Sequence, residues 1–81
     1  MASVLEEVFV IKVDDVDNMY VFAFNPAQEM VEFIGDKEAA KQFNTYEKAK
    51  EALNKIQPLI PEYECSIDSY MMDYMEELKE Y

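Results

Sequence analysis

Two runs of β-branched and aromatic residues, Val8–Val13 and Met19–Phe24, stand either side of the polar stretch Asp14-Asp15-Val16-Asp17-Asn18. Such runs favour strands, and Asp and Asn between them favour a turn because they bond their own backbone and tolerate left-handed conformations. Both runs are apolar at almost every position, so each presents an apolar surface on both faces of a sheet. A strand of that kind needs cover on both sides. The cover has to come from helices elsewhere in the chain or from a second copy of it.

The rest of the chain supplies candidate partners. Met30–Ile34 alternates Val31 and Phe33 with Glu32 and reads as a short third strand, after the break at Asn25-Pro26. Asp36 is a good N-cap for a short helix over Lys37–Gln42, and Thr45 for a longer one from Tyr46 to about Gln57. In the longer helix Tyr46, Ala49, Ala52, Leu53 and Ile56 share one arc, the spacing of a helix laid on a sheet. Beyond Pro58 and Pro61, Tyr63, Cys65 and Ile67 alternate with Glu62, Glu64 and Ser66, which predicts an extended edge segment. Asp68 or Ser69 then caps a last helix from Tyr70 to about Glu80. The expected fold is α+β, a single domain over 1–81. It has an antiparallel meander of about three strands with a possible fourth edge strand and two to three helices, in the order β-β-β-α-α-(β)-α.

Charge narrows the function. Eighteen Asp and Glu stand against seven Lys, with no Arg and no His, for a net charge of −11. Nucleic-acid binding depends on cations that displace counterions, so direct binding of DNA or RNA is excluded, and anionic membranes are excluded on the same sign. No apolar run is long enough to span a bilayer, and the N-terminus lacks the basic region of a signal peptide. One cysteine makes no internal disulfide, which points to a reducing, cytoplasmic setting.

The common catalytic and metal sites lack their residues. Without His there is no Ser-His or Cys-His couple and no usual zinc site, and a single glycine builds no phosphate loop. The acids after Asp14 match no register of a calcium loop: counting from Asp15, the glycine position is Tyr20. They read as a soluble turn or as an acidic point near a sheet end. Cys65 reads as a packed small hydrophobe whose thiol pKa is raised by nearby negative charge. The expectation is a non-enzyme without cofactor or metal that acts by contact.

Residues 1–36 carry −7, residues 37–57 carry +2 and residues 58–81 carry −6, so the acids form blocks at the two ends of the sequence. On the expected last helix Asp73, Glu76, Glu77 and Glu80 form a stripe at i, i+3, i+4 and i+7. Tyr70, Tyr74 and Tyr81 border that stripe, and Glu62, Glu64 and Asp68 extend the surface. The stripe suits a basic groove built for nucleic acid. The same pattern also suits the solvated face of an ordinary amphipathic helix.

The phrase Ala40-x-x-Phe43-x-Thr45-x-Glu47-x-Ala49 resembles one found in small proteins of Gram-positive phages and prophages, where it follows a strand pair and opens a helix. That resemblance covers about a dozen residues, implies a β-β-α type of fold and carries no functional residues. In size and acidity the chain is similar to the anti-restriction and anti-CRISPR inhibitors that imitate DNA, and this similarity is one of character and not of motif. It implies a cytoplasmic protein of a bacterial host cell whose partner is a basic nucleic-acid-binding protein, such as a nuclease or its complex. The alternative is an accessory or structural homodimer whose acidity serves only solubility.

Overall fold

The computed structural model describes residues 5–73. Four strands form one antiparallel sheet: β1 (Leu5–Val13), β2 (Tyr20–Asn25), β3 (Met30–Ile34) and β4 (Cys65–Asp73), in the spatial order β3-β2-β1-β4. The meander and the fourth edge strand are both present, so the α+β class stands. Asn18 turns the chain between β1 and β2 with a left-handed φ of 55°, the role its side chain fits it for.

One α-helix, α1 (Tyr46–Ile56), covers one face of the sheet. Its N-cap is Thr45, whose hydroxyl accepts from the Lys48 N–H at 3.1 Å. Ala49, Ala52 and Ile56 are buried, and the small Ala side chains let the helix approach the sheet closely. The core beneath it joins Ile11, Val21, Ala52, Ile56 and Ile60, with Phe24, Val31, Phe33, Phe43, Leu53, Tyr63 and Cys65 packed around them. Tyr46 is exposed at the helix start, with its ring set edge-on to Phe9 at 6.1 Å between centroids.

Three expectations need correction. The short helix over Lys37–Gln42 is a 3-10 turn, Lys37–Ala39, capped by the Asp36 side chain as expected. The chain then runs extended, because Lys41 and Phe43 are taken up in backbone bonds to the strands. Lys41 N–H donates to Val21 O at 3.0 Å, while Phe43 and Phe9 exchange a pair of bonds at 2.8 Å each. The turn also answers how the second face of the sheet is covered. Val10 and Tyr20 are buried there against Ala40, with Ile34 and Tyr70 alongside, so one chain covers the centre of both faces.

The second correction concerns Glu62–Ile67. The strand begins at Cys65, and Glu62, Tyr63 and Glu64 precede it in the connecting loop. The third concerns the last helix. Tyr70–Asp73 belongs to β4, and Asp68 and Ser69 lie inside that strand and cap nothing. β1 begins at Leu5 and pairs with β4 without a break from Leu5↔Asp73 to Val13↔Cys65. A strand already in place overrides a helical spacing of side chains, since propensity is a weak prior against tertiary pairing. The remainder of the expected helix lies outside the described residues.

Candidate interaction surface

The sequence-predicted surface is divided by the fold. Tyr74, Glu76, Glu77, Glu80 and Tyr81 lie outside the described residues. Asp73 stands opposite Leu5 at the end of β4, so the stripe does not start on a helix as expected. Asp68 and Tyr70 share one face of β4, since side chains two apart on a strand point the same way. Both are engaged within the chain. The Asp68 carboxylate meets Lys37 Nζ at 3.1 Å and accepts from the Ser69 N–H at 2.8 Å. The Tyr70 hydroxyl accepts from Gln42 Nε2 at 2.8 Å, and Lys37 Nζ sits 5.7 Å from the centre of the Tyr70 ring. Burial works to raise the Asp68 carboxyl, but the bonds from Lys37 and Ser69, with the charges of Lys37 and Lys12, outweigh it and hold the pKa below its ordinary value.

Glu62 and Glu64 fare differently. Asp14 N–H donates to Glu64 O at 2.7 Å, and Glu64 N–H donates to Asp15 Oδ2 at 3.2 Å. The Ser66 hydroxyl donates to Asp14 Oδ1 at 2.7 Å. The turn after β1 is thereby fastened to the entry of β4, and the exposed acids Asp14, Asp15, Asp17, Glu62 and Glu64 gather at one end of the sheet. Glu6 and Glu7 are exposed at the far end of the same strand pair, where Glu7 Oε2 accepts from the Ser69 hydroxyl at 3.0 Å. At ~3.3 Å per residue the two ends of β1 are roughly 26 Å apart.

Among the described residues Lys37–Asp68 is the one ion pair. No other acid among the described residues has a lysine within ion-pair distance. Cys65, beside the acidic end, has its thiol pushed up by burial first and then by the charges of Asp14 and Asp15. The direction matches the sequence reading, and a thiol so placed is a poor nucleophile.

Gln57 is the structural residue that the sequence hides. Its side chain donates to Tyr63 O at 2.6 Å and Ile60 O at 3.3 Å, and accepts from the Cys65 N–H at 3.2 Å. It thereby holds the loop that delivers Glu62 and Glu64. A lone polar residue at a helix end gives no periodic signal, so only the fold identifies it.

No group of three or more Cys, Asp or Glu among the described residues is arranged to hold a metal ion. No helix among them is long and apolar enough to cross a membrane. Comparison with protein-family models, curated proteins and solved structures finds no match for the chain.

Proposed function

We propose that this protein acts by contact, occupying a basic nucleic-acid-binding surface on a partner such as a host defence nuclease. The observation that carries the reading is the placement of charge along the β1–β4 pair. Exposed acids stand at both ends, and the acid in the middle, Asp68, is the one neutralised by a lysine. Two acidic points roughly 26 Å apart match the rise of seven or eight base pairs at 3.4 Å each. A lysine- and arginine-lined channel that normally holds phosphates would take both. The resemblance in size and acidity to phage-encoded inhibitors supports the same reading.

The alternative, a homodimer formed to cover the second face of the sheet, loses its main motive because Val10 and Tyr20 are already buried within one chain. The deciding experiment is displacement of labelled duplex DNA from a candidate nuclease across a salt series. Displacement is expected to weaken steeply with salt. It is expected to fall more than ten-fold when Asp14, Asp15 and Asp17 become Asn and Glu62 and Glu64 become Gln. Undiminished displacement by that variant, shown to be folded, would rule the reading out.

A further inference from the structure

We propose that the outer edge of β4 is a docking site for an extended, lysine-rich segment of the partner, which adds to the sheet as a fifth strand. This rests on the reading above that the partner is basic, and goes on to name how it is held.

The two edges of the sheet differ in the way that matters for strand addition. The β3 edge is five residues long, and its pairing with β2 is broken by a register shift between Val21 and Ala23. β4 runs nine residues in unbroken register with β1 and contains no Pro, no Lys and no bulge. Among the described residues no strand lies beyond it. Natural edge strands are commonly protected by those very features, and a long regular edge without them is a template for another strand.

The ladder tells which groups are free. Phe9 directs its N–H and C=O to Phe43, away from β4, so its partner Ser69 directs both groups away from β1. By alternation Ile67 and Met71 do the same. Two outward donors are satisfied internally, Cys65 N–H by Gln57 and Ser69 N–H by Asp68. Among the described residues, the N–H groups of Ile67 and Met71 and the carbonyls of Ile67, Ser69 and Met71 remain for a fifth strand.

Side chains choose the occupant. On the α1 face the edge presents Ile67 and the exposed Met71 on either side of Ser69, so an incoming strand meets an apolar side chain at both ends of that stretch. Around that surface stand Glu64 and Asp14 at one end and Glu6 and Glu7 at the other, while Lys37 is paired with Asp68. A second copy of the chain would bring the same acids against themselves at a net −11 each. A segment alternating apolar residues with lysine has the complementary pattern.

The test uses the full chain and a labelled eight-residue peptide alternating valine and lysine, followed by fluorescence anisotropy. Binding is expected. A peptide of the same charge, N-methylated along one edge so that it cannot pair, is expected to bind at least ten-fold more weakly. Met71→Pro removes an outward donor without touching the ladder to β1 and is expected to cause a similar loss, with Ile67→Pro as the second variant. Equal binding of the methylated peptide, or no binding of either, overturns strand addition while leaving the DNA-displacement result to stand by itself. Equal binding of an alternating valine–threonine peptide overturns the choice of a basic occupant. Slow exchange of the Ile67 and Met71 amides in the free protein would show the edge already covered, by a second copy or by the chain itself, and would overturn the proposal as well.

Discussion

β1 has two neighbours, and it meets them in opposite ways. With β4, more than fifty residues away in sequence, it keeps register along its whole length. With β2, its hairpin partner, the register is confined to Lys12↔Tyr20. Beyond that pair the strands part, and the extended stretch Lys41–Phe43 fills the gap by bonding Val21 on one side and Phe9 on the other. The near neighbour in sequence is the weaker partner in space. A local turn signal establishes that a hairpin exists, but how far it zips is decided by what else can supply hydrogen bonds to each strand.

The largest effect is expected from breaking the distant side. The Tyr70 N–H faces β1, so Tyr70→Pro removes a ladder donor and leaves a carbonyl of Val8 unpaired. It should cost about 2–3 kcal/mol more than Tyr70→Ala in urea denaturation. Met71→Pro, one residue on but facing outward, should cost much less. Similar losses for the two would contradict the assigned ladder.

The near side should break more gently and separately. Phe43 is half-buried against the core, and Phe43→Ala should cost about 2 kcal/mol, below the range for a fully buried Phe. Amide exchange should accelerate at Phe9, whose N–H bonds Phe43, while Val10, which faces β4, keeps its protection. Parallel acceleration at both would mean that the two sides of β1 open as one unit.

At the fastened end of the long ladder, Asp14→Asn removes one of the charges that raise the Cys65 thiol. Alkylation of Cys65 at pH 8 should become faster, though still slower than for free cysteine, because burial is the larger cause.

The smallest effect belongs to Asp68. Its pKa is lowered in the folded chain, so its contribution is present above the unfolded value of about 3.9 and is lost as pH falls through the lower folded value. The pair with Lys37 is part-exposed, 38% on the Asp68 side, so Asp68→Asn should cost well under ~1 kcal/mol at pH 7. The difference between variant and parent should shrink as the pH falls through the lowered folded value, as acid titrations followed by circular dichroism would show.

What was legible in the sequence follows from the same contrast. β1, β2, β3 and α1 announce themselves through local signals: β-branched runs, a polar turn, alternation around Glu32, and the Thr45 cap with its Ala49, Ala52 and Ile56 arc. β4 was half legible. Cys65 and Ile67 alternate with Ser66 as a strand should, but Tyr70, Met71 and the acids after them also fit a helical spacing. Only the presence of β1 alongside decides between the two. Lys37–Gln42 fits a short helix by local pattern and keeps only its Asp36 cap and first turn, because the conformation beyond Ala39 depends on the gap between β1 and β2, which no local pattern encodes. The candidate surface shows the same division. That the Asp14 turn is an acidic point at a sheet end could be read locally, whereas its fastening to Glu64 and Ser66 could not. The occupation of Asp68 and Tyr70 by Lys37 and Gln42 was equally invisible.

The long pairing of β1 with β4 also has a consequence in time. β1 is made before its one extensive partner, which follows only after the meander and α1 have been made. Until then its apolar faces have the helix and the Lys41–Phe43 stretch to lean on, and among the described residues no other strand pairs with Leu5–Val8. Contacts this far apart in sequence close slowly, in milliseconds to seconds for sheets of this kind. The molecule therefore completes itself late, and a newly made chain is exposed to aggregation for as long as β4 is missing.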